Sequence, residues 1–183
     1  MLVKDLSEIT APAFEGDLRL EDLDARHLPA LHELNRQRMS TRADRRFADW
    51  IRHGYHGYVA FRGDRAVGYY WWVDRSADPP HPDLMKLGLQ IELEAGDVYG
   101  CDYFLLEEHR GGGTSIDFLY RIERDLRERG FERIWGYVVA DNRPARWLYT
   151  SRGYLPMRKV SAKTRLLRRR TRTAEIKPTE ATA

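Results

Sequence analysis

The chain has 183 residues, 42% apolar and 32% charged, a balance that suits one soluble domain able to bury a core without staples. No apolar run approaches the ~20 residues that cross a bilayer, the acidic start Met1–Glu15 lacks the apolar stretch of a signal peptide, and the single cysteine, Cys101, excludes an intramolecular disulfide and a multi-cysteine zinc site. The expectation is a cytoplasmic protein without a metal. Charge is unevenly divided: residues 1–157 carry 22 Lys+Arg against 26 Asp+Glu, whereas residues 158–183 carry 9 against 2. The pI near 9.0 therefore belongs to a C-terminal segment, unlike a DNA-binding module whose positive face is part of the fold.

Residues 1–16 read as an N-terminal extension. Asp17–Leu23 alternates enough for a first strand, and Asp24 is a candidate N-cap for a helix over Ala25–Met39, with Leu28, Leu31 and Leu34 at helical spacing. Ser40 or Thr41 is placed to cap a second helix, carrying Phe47, Trp50 and Ile51, that Gly54 ends. Gly57–Arg62 and Ala66–Val73 flank Gly63-Asp64-Arg65, a three-residue hairpin turn. The prolines of Ala77–Pro82 dictate a loop. Leu87–Glu94 alternates like a strand, and Asp97–Leu106 is rich in Val, Tyr and Phe, as strands are. Thr114–Arg129 divides into apolar and charged faces and predicts the clearest helix, with Gly130 at its C-cap. A strand over Arg133–Ala140, a helix over Pro144–Ser151 ended by Gly153 and a last strand within Tyr154–Leu167 complete a domain spanning 17–167. Residues 168–183 show no periodicity and read as a basic, unstructured tail. The element order predicts a mixed α/β sheet.

The chemistry concentrates at one junction. The strand Asp97–Leu106 leads through Glu107-Glu108-His109 into Arg110-Gly111-Gly112-Gly113-Thr114-Ser115 and then the long helix. Glycines let backbone N–H groups approach a phosphate, and a helix N-terminus adds free donors and a positive dipole end. Arg110 adds a forked cation, and Thr114 and Ser115 can cap the helix or bond a phosphate oxygen. A Walker A loop would need Gly-Lys-Ser/Thr, and no lysine follows these glycines. A dinucleotide-binding turn would need a third glycine where Ile116 stands.

The junction resembles that of the GNAT N-acetyltransferase superfamily, whose loop reads Gln/Arg-x-x-Gly-x-Gly/Ala. Arg110, Gly113 and Ser115 take those positions, Ser115 departing from Gly/Ala at the last. A second block follows at the family's spacing: Asn142, Ala145, Tyr149 and Gly153-Tyr154 after the strand Val138-Val139-Ala140. The element order matches over Leu18–Leu167, and the specific motifs span Leu105–Tyr154. The resemblance implies a mostly antiparallel central sheet flanked by helices, with a splayed strand pair forming a coenzyme A cleft. It implies acetyl-CoA or another acyl-CoA as co-substrate, held by Leu105, Leu106, Arg110, Gly111, Gly112, Gly113, Thr114, Ser115, Asn142 and Tyr149. The acceptor, a small-molecule or peptide amine, would attack the thioester directly, with Tyr149 as general acid. Asp102, on the central strand, is the favoured candidate base; Glu92, Glu94 and a water chain are alternatives.

Several residues have plainer readings. Cys101 reads as a small buried hydrophobe, His109 as a solvated loop histidine, and half of Tyr69-Tyr70-Trp71-Trp72 as core, the other half being free to wall an acceptor pocket. The six histidines show no metal-binding spacing. The basic segment Arg158–Arg172 reads first as a solvated strand or solubility tail, and second as a contact for nucleic acid or an acidic carrier protein. Alternatives to the leading reading are a GNAT-fold acyl-CoA sensor or nucleic-acid-binding module without turnover, or a transferase using acyl carrier protein or aminoacyl-tRNA as donor. A homodimer is compatible with any of these, and no membrane contact is expected.

Overall fold

The computed structural model describes residues 1–13, 16–38, 43–82, 84, 91–165 and 168–175. Among these residues nine strands form in chain order: β1 (Leu2–Asp5), β2 (Arg19–Asp22), β3 (His56–Arg62), β4 (Arg65–Val73), β5 (Asp97–Leu105), β6 (Arg133–Gly136), β7 (Leu155–Pro156), β8 (Arg158–Arg165) and β9 (Arg168–Glu175). The α-helices among them are α1 (Leu28–Gln37), α2 (Ala43–Arg52), α3 (Thr114–Glu128) and α4 (Arg143–Ser151). Seven strands make one sheet in the order β2-β3-β4-β5-β6-β1-β7, antiparallel except for β5 beside β6. This is the mixed, mostly antiparallel α/β architecture that the sequence implied. Among the described residues no helix is long and apolar enough to cross a membrane.

The sheet is covered on both faces, which explains its long aromatic strands. Tyr69 and Trp71 of β4 meet α2: Phe47 stacks on Trp71 at 5.6 Å, and Trp50 meets the same indole edge-on at 5.2 Å. Tyr70 and Trp72 point to the opposite face, against Tyr103 and Phe131. All four aromatics are buried, so both halves of the cluster are core, and neither half lines the open cleft. On that second face α3 lays Phe118, Leu119, Ile122 and Leu126, all fully buried. Such side chains stabilise the fold by about 1.5–3 kcal/mol each.

Several boundaries differ from the sequence reading. The N-terminal segment is no extension: β1 lies inside the sheet between β6 and β7. Its Lys4 is buried and donates to the Arg152 carbonyl, with Glu123 3.7 Å away. The hairpin turn has two residues, Gly63 and Asp64, because Arg65 already pairs with Arg62, and Gly63 takes φ +58. A 3-10 turn, Ala25–His27, precedes α1, and Asp24 caps it by accepting from the Arg26 N–H. The caps proposed at Ser40 and Thr41, and most of the strand proposed at Leu87–Glu94, lie outside the described residues, and positions 91–94 are not strand. The last predicted strand is two, β7 and β8. The tail expected to be unstructured from Arg168 begins with β9, which pairs with β8 in a ribbon of its own. A period-2 pattern written mostly in arginine and threonine shows no apolar face, so hydrophobic alternation could not reveal it.

Candidate active site

β5 and β6 run side by side only from Asp97 opposite Arg133 to Gly100 opposite Gly136. There β6 stops, four residues short of the expected Ala140, while β5 continues to Leu105. On its other side, the register of β5 with β4 shifts, with Trp71 opposite Asp102 and Trp72 opposite Gly100. Cys101 is thus the extra residue of a bulge, a feature that bends and twists its strand, and it sits where the two parallel strands part. Gly100 is required at the fork, since a Cβ there would overlap the Tyr70 hydroxyl.

A cleft of about 580 Å³ opens beyond the fork. Its walls are β5 from Gly100 to Leu105, the unpaired Tyr137–Val139 segment and α4. Arg38, Arg110, Ser115, Asn142 and Tyr149 also line it. Among the described residues the edge of β5 that faces this gap beyond Gly100 has no strand partner, so its outward N–H and C=O groups short of Leu105 are open to an extended ligand.

At one end of the cleft β5 runs into a 3-10 turn, Glu107–His109, and then the glycine turn. Gly112 and Gly113 take φ +61 and +82, values favourable only for glycine, and Gly113 starts α3 in the left-handed conformation. The N–H groups of Gly111, Gly112, Gly113 and Ser115 donate to no backbone acceptor among the described residues. Four such donors at the start of a 15-residue helix are the kind of group that suits an anion. Arg110 and Ser115 line the cleft directly, whereas Gly111, Gly112, Gly113 and Thr114 lie beyond its lining.

Several residues here behave otherwise than the sequence suggested. The Arg110 Nε turns back and donates to the Leu105 carbonyl at 2.8 Å, pinning the end of β5. Thr114 is buried and does not cap α3; Ser115 instead donates through its hydroxyl to the Arg110 carbonyl at 3.2 Å. Leu105 lines the cleft. Leu106 does not, its N–H being used by the Val67 carbonyl. His109 is half-buried rather than free in solvent: its Nδ1 accepts from Arg62 at 2.8 Å.

Asn142 and Tyr149 come together through α4. Asn142 caps the helix, its Oδ1 accepting from the Ala145 N–H at 3.1 Å, and Pro144 follows in the first turn, where its missing N–H is harmless. Two turns later Tyr149 faces the cleft with its ring edge-on to Tyr154 at 4.9 Å. Its hydroxyl has no hydrogen-bond partner among the described residues. Burial, reinforced by Asp102, Glu123 and Cys101, raises the phenol well above its ordinary pKa, so the group stays protonated at neutral pH.

Asp102 also lines the cleft, but each of its oxygens is engaged. Oδ1 accepts from Arg38 at 2.7 Å and Oδ2 from Arg46 at 2.9 Å, and Arg38 also donates to the Tyr69 hydroxyl at 2.8 Å. Sequence reasoning missed both arginines. They lie 64 and 56 positions from Asp102, on α1's C-cap and on α2, and no local pattern links them.

A model of the acetyltransferase (GNAT) family matches residues 18–154. No curated protein sequence matches the chain. Among solved structures, it is similar to the aminoglycoside acetyltransferase AAC(6')-Iy in complex with a bisubstrate analogue of CoA, with a TM-score of 0.62 at 13% identity, covering 82% of this chain and 99% of that one. It is also similar to the ribosomal-protein-S18-alanine N-acetyltransferase of Escherichia coli, with a TM-score of 0.57 at 15% identity over 80% and 79%. A third is an aminoglycoside acetyltransferase from an uncultured soil metagenomic sample, in complex with sisomicin, with a TM-score of 0.55 at 15% identity over 74% and 86%. At these identities the likeness is one of fold, and the matched segment holds both the glycine turn and the Asn142–Tyr154 block. The chain belongs to the acetyltransferase (GNAT) family.

Proposed function

We propose that the cleft binds acyl-CoA and passes its acyl group to an amine. One observation carries the reading: a parted strand pair opens onto a glycine turn of unpartnered N–H groups at one end, with the free hydroxyl of Tyr149 inside the same cleft. The donor set fits the group. Backbone N–H groups of Gly111, Gly112, Gly113 and Ser115 suit a pyrophosphate, and the open edge of β5 suits an amide-bearing arm that lies along it as a strand would. Gly111 and Gly112 leave the approach clear, and Asn142 keeps its amide NH₂ for the same ligand while its Oδ1 caps α4. The solved relatives named for aminoglycosides and for ribosomal-protein alanine support an amine as acceptor.

Acyl-CoA, when bound, supplies the activated thioester. The acceptor nitrogen forms the new C–N bond as the C–S bond breaks, the amine gives up one proton, and the sulfur takes one. We assign that second proton to the Tyr149 hydroxyl, which burial keeps protonated and which has no competing acceptor. Asp102 is the carboxylate on the central strand, but both its oxygens already accept from guanidiniums. We therefore assign it to holding Arg38 and Arg46, and assign the amine's proton to water in the open cleft.

Titration calorimetry with acetyl-CoA, together with thiol release in a panel of amines, tests the reading. The parent should bind and release CoA thiol in the presence of at least one amine class. Gly113→Asp places an anion and a strained backbone in the phosphate seat, and should weaken binding about tenfold or more, the equivalent of one charge-assisted hydrogen bond of ~1.5–3 kcal/mol. Equal affinity in a folded Gly113→Asp protein would remove the phosphate seat from the proposal.

A further inference from the structure

Among the described residues, the cleft is bordered at Asp102 by an excess of positive charge. Arg38 and Arg46 converge on Asp102, so two guanidiniums face one carboxylate. The three groups are layered. Asp102 is 8% exposed and lies beneath, while Arg38 and Arg46 are 37% and 41% exposed above it. Each guanidinium also lies against aromatic rings, Arg38 at 5.6 Å from Phe104, and Arg46 at 4.5 Å from Trp50 and 5.6 Å from Phe47. These contacts hold the cations in place without neutralising them.

A clamp fastening the helices to the sheet would need one arginine. The second adds like-charge repulsion that a single carboxylate cannot balance, and it leaves the Arg46 Nε buried without a partner among the described residues. Arginine's planar fork presents five donors suited to a carboxylate, and here only part of each fork is used. The pair borders the cleft that holds Tyr149, and Arg38 and Asp102 are in its lining.

We infer that the acceptor carries a carboxylate near its reacting amine, and that Arg38 and Arg46 together bind it. This rests on the acyl-transfer reading for the reacting end of the acceptor. The anion balances the excess charge, and its position beside Asp102 points the amine toward the Tyr149 end of the cleft. A polycationic amine meets the wrong sign of field at the same place. The carboxylate can belong to a free amino acid or to an acidic residue next to a peptide's N-terminal amine.

Two assays test the proposal independently. In the first, thiol release from acetyl-CoA is followed with glycine, alanine, leucine, phenylalanine and glutamate and with the primary amide of each. Parallel arms use peptide amides whose second residue is Glu or Gln, and a polycationic amine such as kanamycin. Acids should exceed their amides in kcat/KM by about tenfold or more, the effect of one charge-assisted hydrogen bond. A preference among free amino acids identifies a small-molecule acceptor, and a preference for Glu over Gln only in the peptides identifies a peptide end. In Arg46→Gln the ratio of acid to amide should fall toward one, a change that a purely structural clamp would not produce.

In the second, fluorescence of Trp50, which lies against Arg46, follows binding of N-acetyl-leucine and N-acetyl-leucinamide to the protein saturated with CoA. The acid should bind about tenfold or more tightly. Turnover without preference for acids, or a preference for kanamycin, overturns the inference and leaves acyl transfer standing. No thiol release with any amine, alongside selective binding of the N-acetyl acid, supports the carboxylate site and removes the acyl-transfer reading. Absence of selectivity in both assays overturns the inference.

Discussion

Glu123 of α3 offers a perturbation whose size the structure defines. It is fully buried, with its Oε2 2.5 Å from Arg152 and 3.7 Å from Lys4, both themselves about 5% exposed. Arg152 also donates to the Thr10 carbonyl, and Lys4 to the Arg152 carbonyl. One carboxylate thus ties β1, α3, the residue ending α4 and the chain near Thr10. Burial nevertheless outweighs pairing for both charges: it raises the Glu123 carboxyl and lowers the Lys4 ammonium from their ordinary values. Glu123→Gln keeps the shape but leaves two buried cations facing each other, and removing one partner of such a network costs about 3–5 kcal/mol. For a chain of this size that is a fall of roughly 6–20 °C in midpoint, at ~2–4 °C per kcal/mol. Lys4→Met/Glu123→Leu/Arg152→Met removes all three charges and should recover most of the loss, since burial already opposes them. Calorimetry and urea unfolding at pH 7 measure both variants. The pH signs are opposite for the two groups. The raised Glu123 stabilises fully below its unfolded value near 4.5, and that contribution fades as pH rises through its folded pKa. The lowered Lys4 contributes more as pH rises toward its unfolded value near 10.5. A Glu123→Gln loss below about 1 kcal/mol would refute the reasoning, because that is the scale of a solvent-exposed pair.

Tyr149→Phe removes the proposed acid alone; kcat should fall roughly 10²-fold with acetyl-CoA affinity unchanged, and a kcat within twofold of the parent would reduce Tyr149 to packing. Because the Tyr149 phenol is raised by burial, the parent's rate should climb with deprotonation of the acceptor amine and show no alkaline decline below about pH 10, the value of a free phenol. Gly100→Ala drives a Cβ into the Tyr70 hydroxyl and should destabilise by about 1–3 kcal/mol, partly restored by adding Tyr70→Phe; thermal melts of the single and double variants decide it. Deleting residues 168–183 removes β9, whose only strand partner among the described residues is β8, so the midpoint should move by less than about 2–4 °C, the equivalent of 1 kcal/mol; a larger fall would make the ribbon part of the core.

The sequence exposed the parts of the site that rest on local physics. A glycine run opening an amphipathic helix, and an Asn-x-x-Ala-x-x-x-Tyr block opening a proline-started helix, both depend on residues within a turn or two of each other. Their structures follow: Gly112 and Gly113 take positive φ, and Asn142 caps α4. Features set by distant residues stayed hidden. Lys4 was unreadable as a core residue because its partner, Glu123, lies far along the chain. The Arg38–Asp102–Arg46 cluster likewise depends on two helices folding over β4 and β5. Arg110 lines the cleft, yet its side chain turns toward the Leu105 carbonyl, a choice that the path of β5 determines.

The strand order also bears on how the chain reaches this state. β2, β3, β4 and β5 pair with neighbours in sequence, so that half of the sheet can zip together soon after its residues are available. The other half cannot. β1 is made first, yet both its partners, β6 and β7, lie more than a hundred residues downstream, so it must wait through most of synthesis as an unpaired strand. The two halves meet at the four-residue parallel contact of β5 with β6, and the cleft is the unclosed remainder of that seam. The geometry of the cleft therefore depends on the last long-range step of assembly. A ligand lying across the seam would bind only after that step, and by mass action would hold the late-joining half in place.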